Sequence, residues 1–141
     1  MTTACVLNGR LYVMGGIGCN KLRVLEMSEE NGFTWTVKAE MPAARYDAAS
    51  VAHEGKIWLI GGKIDYEPSS SVLIYDIEAN SWGTGPALPG AAFMPRATTL
   101  DGEIYITSHD GGSWIYRNAA WVAGPEIANC TAPAFACLLL G

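Results

Sequence analysis

An apolar stretch that ends in two adjacent glycines occurs twice in this chain, and a variant of it occurs a third time. The three copies are residues 9–16, 55–62 and 102–109, and their first residues are 46 and 47 positions apart. In the third copy, Ser108 and His109 replace the glycine pair. A period of this length is typical of repeat proteins. The chain is therefore predicted to consist of consecutive copies of one structural unit.

Each copy begins at a predicted hairpin turn, namely Asn8-Gly9, Glu54-Gly55 and Asp101-Gly102. Such residues accept the positive φ angles that tight hairpins require. We expect a first strand before each turn, at residues 2–7, 47–53 and 96–100. A second strand follows each turn, and a third is expected at 22–27, 72–77 and 113–116. A fourth strand is expected around Trp35, Trp82 and Trp121. Each unit then ends at a proline turn, at Pro42, Pro89 and Pro125.

The predicted strands are apolar at nearly every position, as in Val72-Leu73-Ile74-Tyr75. Strands of this kind need both faces buried. A four-stranded sheet packed between two similar sheets provides that environment, and this is the blade of a β-propeller. An all-β sandwich would also account for the strands, but it would not account for the aligned turns and tryptophans.

The middle unit resembles the kelch repeat. It has a hairpin turn, an apolar strand, Gly61-Gly62, a loop, Tyr75-Asp76, Trp82 and a proline turn in the order that kelch repeats show, and Arg45 lies where they often carry an arginine. The resemblance covers essentially the whole chain. It weakens in the other units, where Leu25-Glu26 and Tyr116-Arg117 replace Tyr-Asp.

The resemblance implies an all-β domain over 1–141, built from four-stranded antiparallel blades. The repeats are predicted at about 1–42, 43–90 and 91–130, with 131–141 as the first strand of a further repeat. The diglycines should allow close approach of neighbouring backbone. All five tryptophans are expected in the core between blades, with indole N–H groups donating to carbonyls. The third blade should deviate most, because it lacks the glycine pair.

Three blades are too few to close a propeller, so two apolar sheet faces are expected to be open. The chain would then be part of a longer kelch protein, or a homodimer or another subunit would cover these faces. In a homodimeric six-bladed ring, the extra C-terminal strand would compete with residues 2–7 of the partner for one position.

Composition narrows the function classes. Half of the residues are hydrophobic, 16% are charged, and the net charge is −5 with a pI near 4.9. This balance argues against nucleic acid and anionic membranes as partners. No secretory signal is apparent and the cysteines (Cys5, Cys19, Cys130 and Cys137) form no Cys-x-x-Cys pair. We therefore predict no metal or other cofactor, a reducing compartment with Cys5 and Cys137 as buried thiols, and a cytoplasmic location.

In kelch-type propellers, ligands meet the loops between strands two and three and the connections between blades. By this resemblance, the candidate binding residues are Arg45, Tyr46, Asp65, Tyr66, Arg96, His109 and Asp110. Arg45 matches an arginine that contacts acidic peptides in the cullin-adaptor kelch domains; alternatively, it is solvated or paired with Asp47. Arg96 belongs to the third unit and lies four positions further along the repeat than Arg45. An even offset would place it on the same strand face as Arg45 and deeper in the channel. The acidic and aromatic loop at residues 65–67 could contact a basic partner or be solvated.

The leading functional prediction is a module that holds a protein partner by its loop face. A structural subunit docked in a large assembly is the first alternative. The second is an enzyme, since the copper-dependent galactose oxidases, the iron-dependent specifier proteins and the sialic acid mutarotases are kelch propellers. We predict no enzymatic activity, because no catalytic constellation is found. His109 beside Asp110 is the one candidate for such chemistry.

Overall fold

The computed structural model describes residues 1–127, so the strand predicted at 131–141 and Cys137 lie outside the described residues. Residues 1–127 form fourteen short strands and no helix, and hence no helical segment long and apolar enough to cross a membrane. Twelve strands form three four-stranded antiparallel sheets, one from each copy of the repeat. We call these sheets blades 1, 2 and 3 in chain order. The predicted propeller blades are confirmed.

Blade 1 consists of β1 (Thr3–Leu7), β2 (Arg10–Met14), β3 (Leu22–Ser28) and β4 (Gly32–Val37), which pair in chain order. The turn between β1 and β2 has positive φ at both central residues, 51° at Asn8 and 71° at Gly9. This is the turn that the Asn-Gly sequence predicts.

Blade 2 consists of β5 (Ala49–His53), β6 (Lys56–Ile60), β9 (Val72–Asp76) and β10 (Ser81–Thr84). Between its second and third strands the chain forms a separate small hairpin of β7 (Lys63–Ile64) and β8 (Glu67–Pro68). The turn between β5 and β6 again has positive φ, at Glu54 and Gly55. The extra hairpin makes this loop the most structured of those on its side of the blades.

Blade 3 consists of β11 (Arg96–Leu100), β12 (Glu103–Thr107), β13 (Ser113–Arg117) and β14 (Ala120–Ala123). The first strands of the three blades, β1, β5 and β11, lie side by side at the centre. A hydrogen bond of 2.8 Å between the hydroxyls of Thr3 and Ser50 joins the first two. The inner strands therefore border the channel of a propeller.

Two apolar cores lie between the blades. We call the face that a blade turns to the next blade along the chain its back face, and the opposite one its front face. Alternation along the strands assigns the side chains to these faces. The first core joins the back of blade 1 to the front of blade 2 through Tyr12, Met14, Leu22, Val24, Ile57, Leu59, Leu73 and Tyr75. The second joins the back of blade 2 to the front of blade 3 through Val51, Trp58, Ile60, Val72, Ile104 and Ile106.

The strand-four tryptophans of blades 2 and 3 fasten each blade to the one before it. Trp82 Nε1 donates to the carbonyl of Ala39 at 2.9 Å, and Trp121 Nε1 donates to that of Pro86 at 2.8 Å. Both bonds confirm the prediction from the repeat. For Trp35 the prediction of a core position is wrong, because its side chain is 51% exposed on the front face of blade 1. No blade precedes it in the described chain.

The glycine pairs let the incoming connection lie against the blade, as predicted. Gly16 N donates to Arg45 O at 2.8 Å, and Gly62 N donates to Ala92 O at 3.2 Å. A Cβ on Gly62 would lie 2.6 Å from the carbonyl oxygen of Tyr46 and 2.7 Å from the backbone of Ala48. Only glycine fits such a site without moving the backbone.

In the third blade, a side-chain hydroxyl group holds the incoming connection. Ser108 Oγ accepts from Phe93 N at 3.0 Å and lies 3.2 Å from Phe93 O, to which it can donate. Ser108 and His109 do not have positive φ, and Gly111 takes a left-handed conformation three residues after Ser108, with φ of 94°. The turn of blade 3 therefore differs from those of blades 1 and 2, as the missing glycine pair predicts.

Cys5 is half-buried against the first core rather than fully buried. Burial raises the pKa of its thiol to about 11, so the side chain is a neutral thiol at physiological pH. It behaves as a small apolar residue of the core.

Candidate functional site

The loop face is the end of the blades that carries the loops between strands two and three and the connections from one blade to the next. Each connection is tied to the loop that follows it. Tyr46 and Lys63 exchange backbone hydrogen bonds of 2.8 and 3.2 Å, and His109 N donates to Phe93 O at 2.9 Å. These bonds join segments that are distant in sequence into one continuous surface.

A cleft of about 140 Å³ opens on this face and is lined by Ile17, Gly18, Ala44, Tyr46, Asp65 and Tyr66. Tyr46 is buried, whereas Tyr66 is 73% exposed. Their rings meet edge to face, with centroids 6.0 Å apart and planes at 67°. Burial, together with Tyr66 and Asp47, raises the pKa of Tyr46. We call this site the tyrosine cleft.

The hairpin that carries Asp65 and Tyr66 has a defined backbone. The φ angles are 49° at Asp65 and 70° at Tyr66, which is the pattern of a type I′ turn between two short paired strands. Ser69 N donates to Gly62 O at 2.8 Å at the base of the hairpin. The carboxylate and the ring are thus presented on a closed hairpin rather than on an irregular loop.

Lys63 connects the tyrosine cleft to the next blade. Its ammonium group lies 4.6 Å from the ring centroid of Phe93 and 6.0 Å from that of Tyr46, distances at which a cation is attracted to an aromatic face. Phe93 in turn packs edge-on against His109, with centroids 5.5 Å apart. A row of aromatic rings with one cation therefore crosses the loop face.

His109 and Asp110 are adjacent in sequence but do not form an ion pair among residues 1–127. His109 Nδ1 is buried without a hydrogen-bond partner in the described part of the chain. Asp110 is exposed, and one of its carboxylate oxygens lies 3.4 Å from Gly112 N. The geometry of an acid–base pair is therefore absent from these two side chains.

Arg45 does not reach the surface. Its side chain is neither solvated nor paired with Asp47, so both of these alternative predictions are wrong. Its side chain is buried; Nη1 donates to the carbonyls of Gly61 and Ser71 at 2.8 and 2.9 Å, and Nη2 donates to Ser71 Oγ at 2.6 Å. Burial lowers the pKa of its guanidinium to about 10, so it remains charged at neutral pH. Arg45 fastens the connection to blade 2 beneath the loop face.

Arg96 lies in the channel, as predicted, and donates from Nη1 to Pro95 O at 3.0 Å. It lines a cavity of about 360 Å³ between the first strands of the blades. Arg45 and Arg96 do not share a strand face, so that prediction is wrong. The first strand of blade 2 begins only at Ala49, and Asp47 has φ of 54°, so the backbone is not extended between Arg45 and Ala49.

The structure thus brings together Tyr46, Asp65 and Tyr66, and places His109 at the far end of the same aromatic row. Sequence reasoning missed Lys63, although the residue after each glycine pair is a position that the repeat defines. It also missed Ile17, which follows the first glycine pair. Among residues 1–127, no three His, Cys, Asp or Glu side chains are grouped closely enough to hold a metal ion.

Known proteins resemble this chain in sequence. Residues 44–89 match the family described as the Kelch motif. The chain is 32% identical over 128 residues to human Kelch-like protein 33, covering 88% of this chain and 24% of that protein. It is 33% identical over 103 residues to human Kelch repeat and BTB domain-containing protein 13, covering 71% and 22%. It is 36% identical over 109 residues to Alpha-scruin of Limulus polyphemus, covering 72% and 12%. The chain spans a quarter or less of the length of these relatives.

A solved structure gives the same architecture. The structure of YjhT superposes with a TM-score of 0.77 at 16% sequence identity, over 91% of this chain and 50% of that one. At this identity the likeness shows the fold alone, a propeller of kelch type.

Proposed function

Because the chain belongs to the kelch-repeat family, we propose that it is a protein-interaction module that holds a protein partner through its loop face. The observation that carries this proposal is the tyrosine cleft. It combines an exposed aromatic ring, an exposed carboxylate and a defined backbone. Tyrosine is one of the side chains that most often anchor protein interfaces.

The chemistry of the tyrosine cleft suits a basic side chain of the partner. Tyr66 offers an exposed aromatic ring to a cation, Asp65 offers a carboxylate, and Glu67 adds a second carboxylate on the same hairpin. No ion pair within residues 1–127 involves either acidic residue. The net charge of −5 attracts a basic segment over a longer range. A lysine or arginine of an extended peptide segment would enter the cleft.

A comparison of matched variants tests this function. Tyr66→Ala removes the exposed ring, and Asp65→Asn removes one charge at a turn position that asparagine accepts. Proteins captured on immobilised wild-type chain are quantified and compared with those captured on each variant. We expect specific partners to be lost about tenfold on Tyr66→Ala and severalfold on Asp65→Asn.

Asp101→Asn is the matched control, because Asp101 is also an exposed aspartate at positive φ but lies at the opposite end of the blades. Its captured proteins should equal those of the wild type. Labelled peptides of equal length, one rich in lysine and arginine and one rich in glutamate, test the charge preference directly. Unchanged capture by both cleft variants would disprove the proposal, and preference for the acidic peptide would disprove the basic partner.

We also place this function in the cytoplasm. The support is the chemistry of the cysteines: Cys5 and Cys19 are free thiols in the described part of the chain, which fits a reducing compartment. Imaging of the tagged chain against compartment markers tests the location.

A further inference from the structure

Exposed apolar side chains are concentrated on one sheet face. Five of the ten large hydrophobic side chains that are exposed in residues 1–127 are Val6, Met27, Phe33, Trp35 and Val37. The strand register places Met27 opposite Phe33 and assigns all five to the front face of blade 1. A contiguous exposed face of this kind marks an interaction surface.

This face has a covered counterpart in the same molecule. Trp35 occupies the strand-four position that Trp82 occupies in blade 2, and Leu11 occupies the strand-two position of Ile57. In blade 2, this front face packs against blade 1 and Ile57 is fully buried. The front of blade 1 therefore has the form of a surface that packs on the back of a kelch blade.

Such a back face is uncovered at the other end of the described chain. A hollow of about 280 Å³ on the back of blade 3 is lined by Tyr105, Ile106, Ser113, Trp114, Ile115, Pro125 and Ile127. Tyr105 and Ile115 match Tyr12 and Val24 of blade 1 by register, and those two residues lie in the core that blade 2 covers. Leu100 and Val122, on the same face, are also exposed.

The hydrogen bonds between blades provide an independent match. The tryptophans of blades 2 and 3 donate to the carbonyls of Ala39 and Pro86, which lie four residues after the strand-four tryptophans of blades 1 and 2. The equivalent residue of blade 3 is Pro125. The carbonyl of Pro125 accepts from Ser113 Oγ at 2.6 Å and has a second lone pair. Trp35 Nε1 has no acceptor among residues 1–127. One end of the described chain thus carries a free donor, and the other carries its acceptor.

Polar residues also match between the two faces. At the strand-three position where blade 2 places Leu73 against the back of blade 1, blade 1 itself has Arg23. Where blade 1 has Leu22 on its back face, blade 3 has Ser113. The exchange of a leucine pair for an arginine and a serine keeps the polarity of the two faces matched.

We propose that two copies of this chain associate into a closed ring of six blades, in which the front of blade 1 of each copy packs on the back of blade 3 of the other. Each copy contributes three four-stranded blades, so two copies make the six blades of the ring. Contacts of this type between unlike faces close on themselves when the rotation per subunit is one half turn. This association is independent of the tyrosine cleft.

The molecular mass in solution is the first test. The wild-type chain should have a mass of about 30 kDa by light scattering, twice its 15.0 kDa, at concentrations from about 1 to about 100 µM. Trp35→Arg on one open face and Val122→Arg on the other should each weaken the dimer at least tenfold. Glu78→Arg, a control that places the same charge on the exposed turn between β9 and β10 of blade 2, should leave the mass unchanged.

Mixing the two variants distinguishes this ring from other dimers. A dimer of one Trp35→Arg chain and one Val122→Arg chain has one undamaged contact, whereas either variant alone has none. The mixture should therefore recover dimer that neither variant forms. A wild-type mass of 15.0 kDa over the whole range would overturn the proposal, as would a dimer that only Trp35→Arg disrupts, since that result means contact between two front faces. If Trp35→Arg fails to fold by circular dichroism, the wild-type mass and Val122→Arg still decide.

Discussion

Trp82 and Trp35 occupy the same position of the repeat, yet they have different surroundings. Trp82 is half-buried and bonded to the carbonyl of Ala39 in the blade before it, whereas Trp35 is 51% exposed and has no such blade among the described residues. The repeat therefore determines which face a side chain occupies, and the neighbouring blade determines whether it is buried. In a repeat protein of this kind, stability resides in the contacts between units as much as in the units.

The largest difference in the free energy of unfolding is expected between substitutions at the second glycines of the two pairs, Gly62 and Gly16. A Cβ at Gly62 meets backbone at 2.6 to 2.7 Å, whereas a Cβ at Gly16 meets only the side chains of Cys19 and Thr2, at 3.5 and 3.6 Å. Gly62→Ala should lower the free energy of unfolding by about 4 kcal/mol, and Gly16→Ala by about 2 kcal/mol from its positive φ. Urea denaturation measures both, and equal losses would contradict the close approach.

The next test compares the buried Arg45 with Arg23, which lies on the front face of blade 1. Arg45→Met leaves the carbonyls of Gly61 and Ser71 without their donor and should cost about 3 kcal/mol. Arg23→Met removes an arginine whose one hydrogen bond within residues 1–127 is a long contact of 3.9 Å to Cys19 Sγ, and should cost about 0.5 kcal/mol or less. Both values come from the same urea experiment. A small loss at Arg45 would mean that its guanidinium does not secure the connection.

The paired tryptophans give a smaller effect that depends on protein concentration. Trp82→Phe removes the indole donor and should cost about 1.5 kcal/mol at every concentration. Trp35→Phe should cost less than about 0.5 kcal/mol in the monomer and more as the dimer forms, because only the dimer offers its donor an acceptor. Thermal melts at low and high protein concentration separate the two, and identical behaviour would contradict the proposed contact.

The smallest effect is expected at two half-buried carboxylates on blades 2 and 3. Hydrogen bonds from Tyr105 and Arg117 lower the pKa of Glu103, and hydrogen bonds from Ala79 N and Lys56 lower that of Asp76. A carboxyl with a lowered folded-state pKa stabilises the fold fully above its unfolded pKa, about 4, and loses this contribution as the pH falls through the folded value.

Glu103→Gln and Asp76→Asn should therefore reduce the loss of stability between about pH 5 and about pH 2, with little change in the slope of stability above it. Melting temperatures across this range measure the slope. A slope that stays as steep as that of the wild type would show that other carboxylates dominate the acid transition.

The sequence was sufficient for features that depend on one unit or on the relation between successive units. The Asn-Gly and Asp-Gly turns, the glycine pairs and the indole bonds of Trp82 and Trp121 could all be predicted from the period. Each of them depends on local backbone preference or on a partner that the repeat itself supplies.

Features that depend on particular distant residues could not be predicted. The burial of Arg45 depends on hydrogen-bond acceptors 16 and 26 positions further along the chain. The sequence around an arginine does not show whether its guanidinium is solvated or buried. Lys63 was missed because its role depends on Phe93, thirty residues later. Trp35 is exposed because no blade precedes blade 1 among the described residues. The number of repeats predicted an open face, but the tryptophan pattern alone placed Trp35 in the core.

The hairpin formed by β7 and β8 has a consequence for engineering. The bond from Ser69 N to Gly62 O closes it at the base, so that residues 63–68 begin and end at nearly the same place. A segment closed in this way can be lengthened at its tip without moving the strands that carry it, and each doubling of loop length costs only about 0.6 kcal/mol in chain entropy. The tip at Asp65 and Tyr66 is therefore a position where foreign recognition sequences could be grafted while Lys63 and the base bond stay in place.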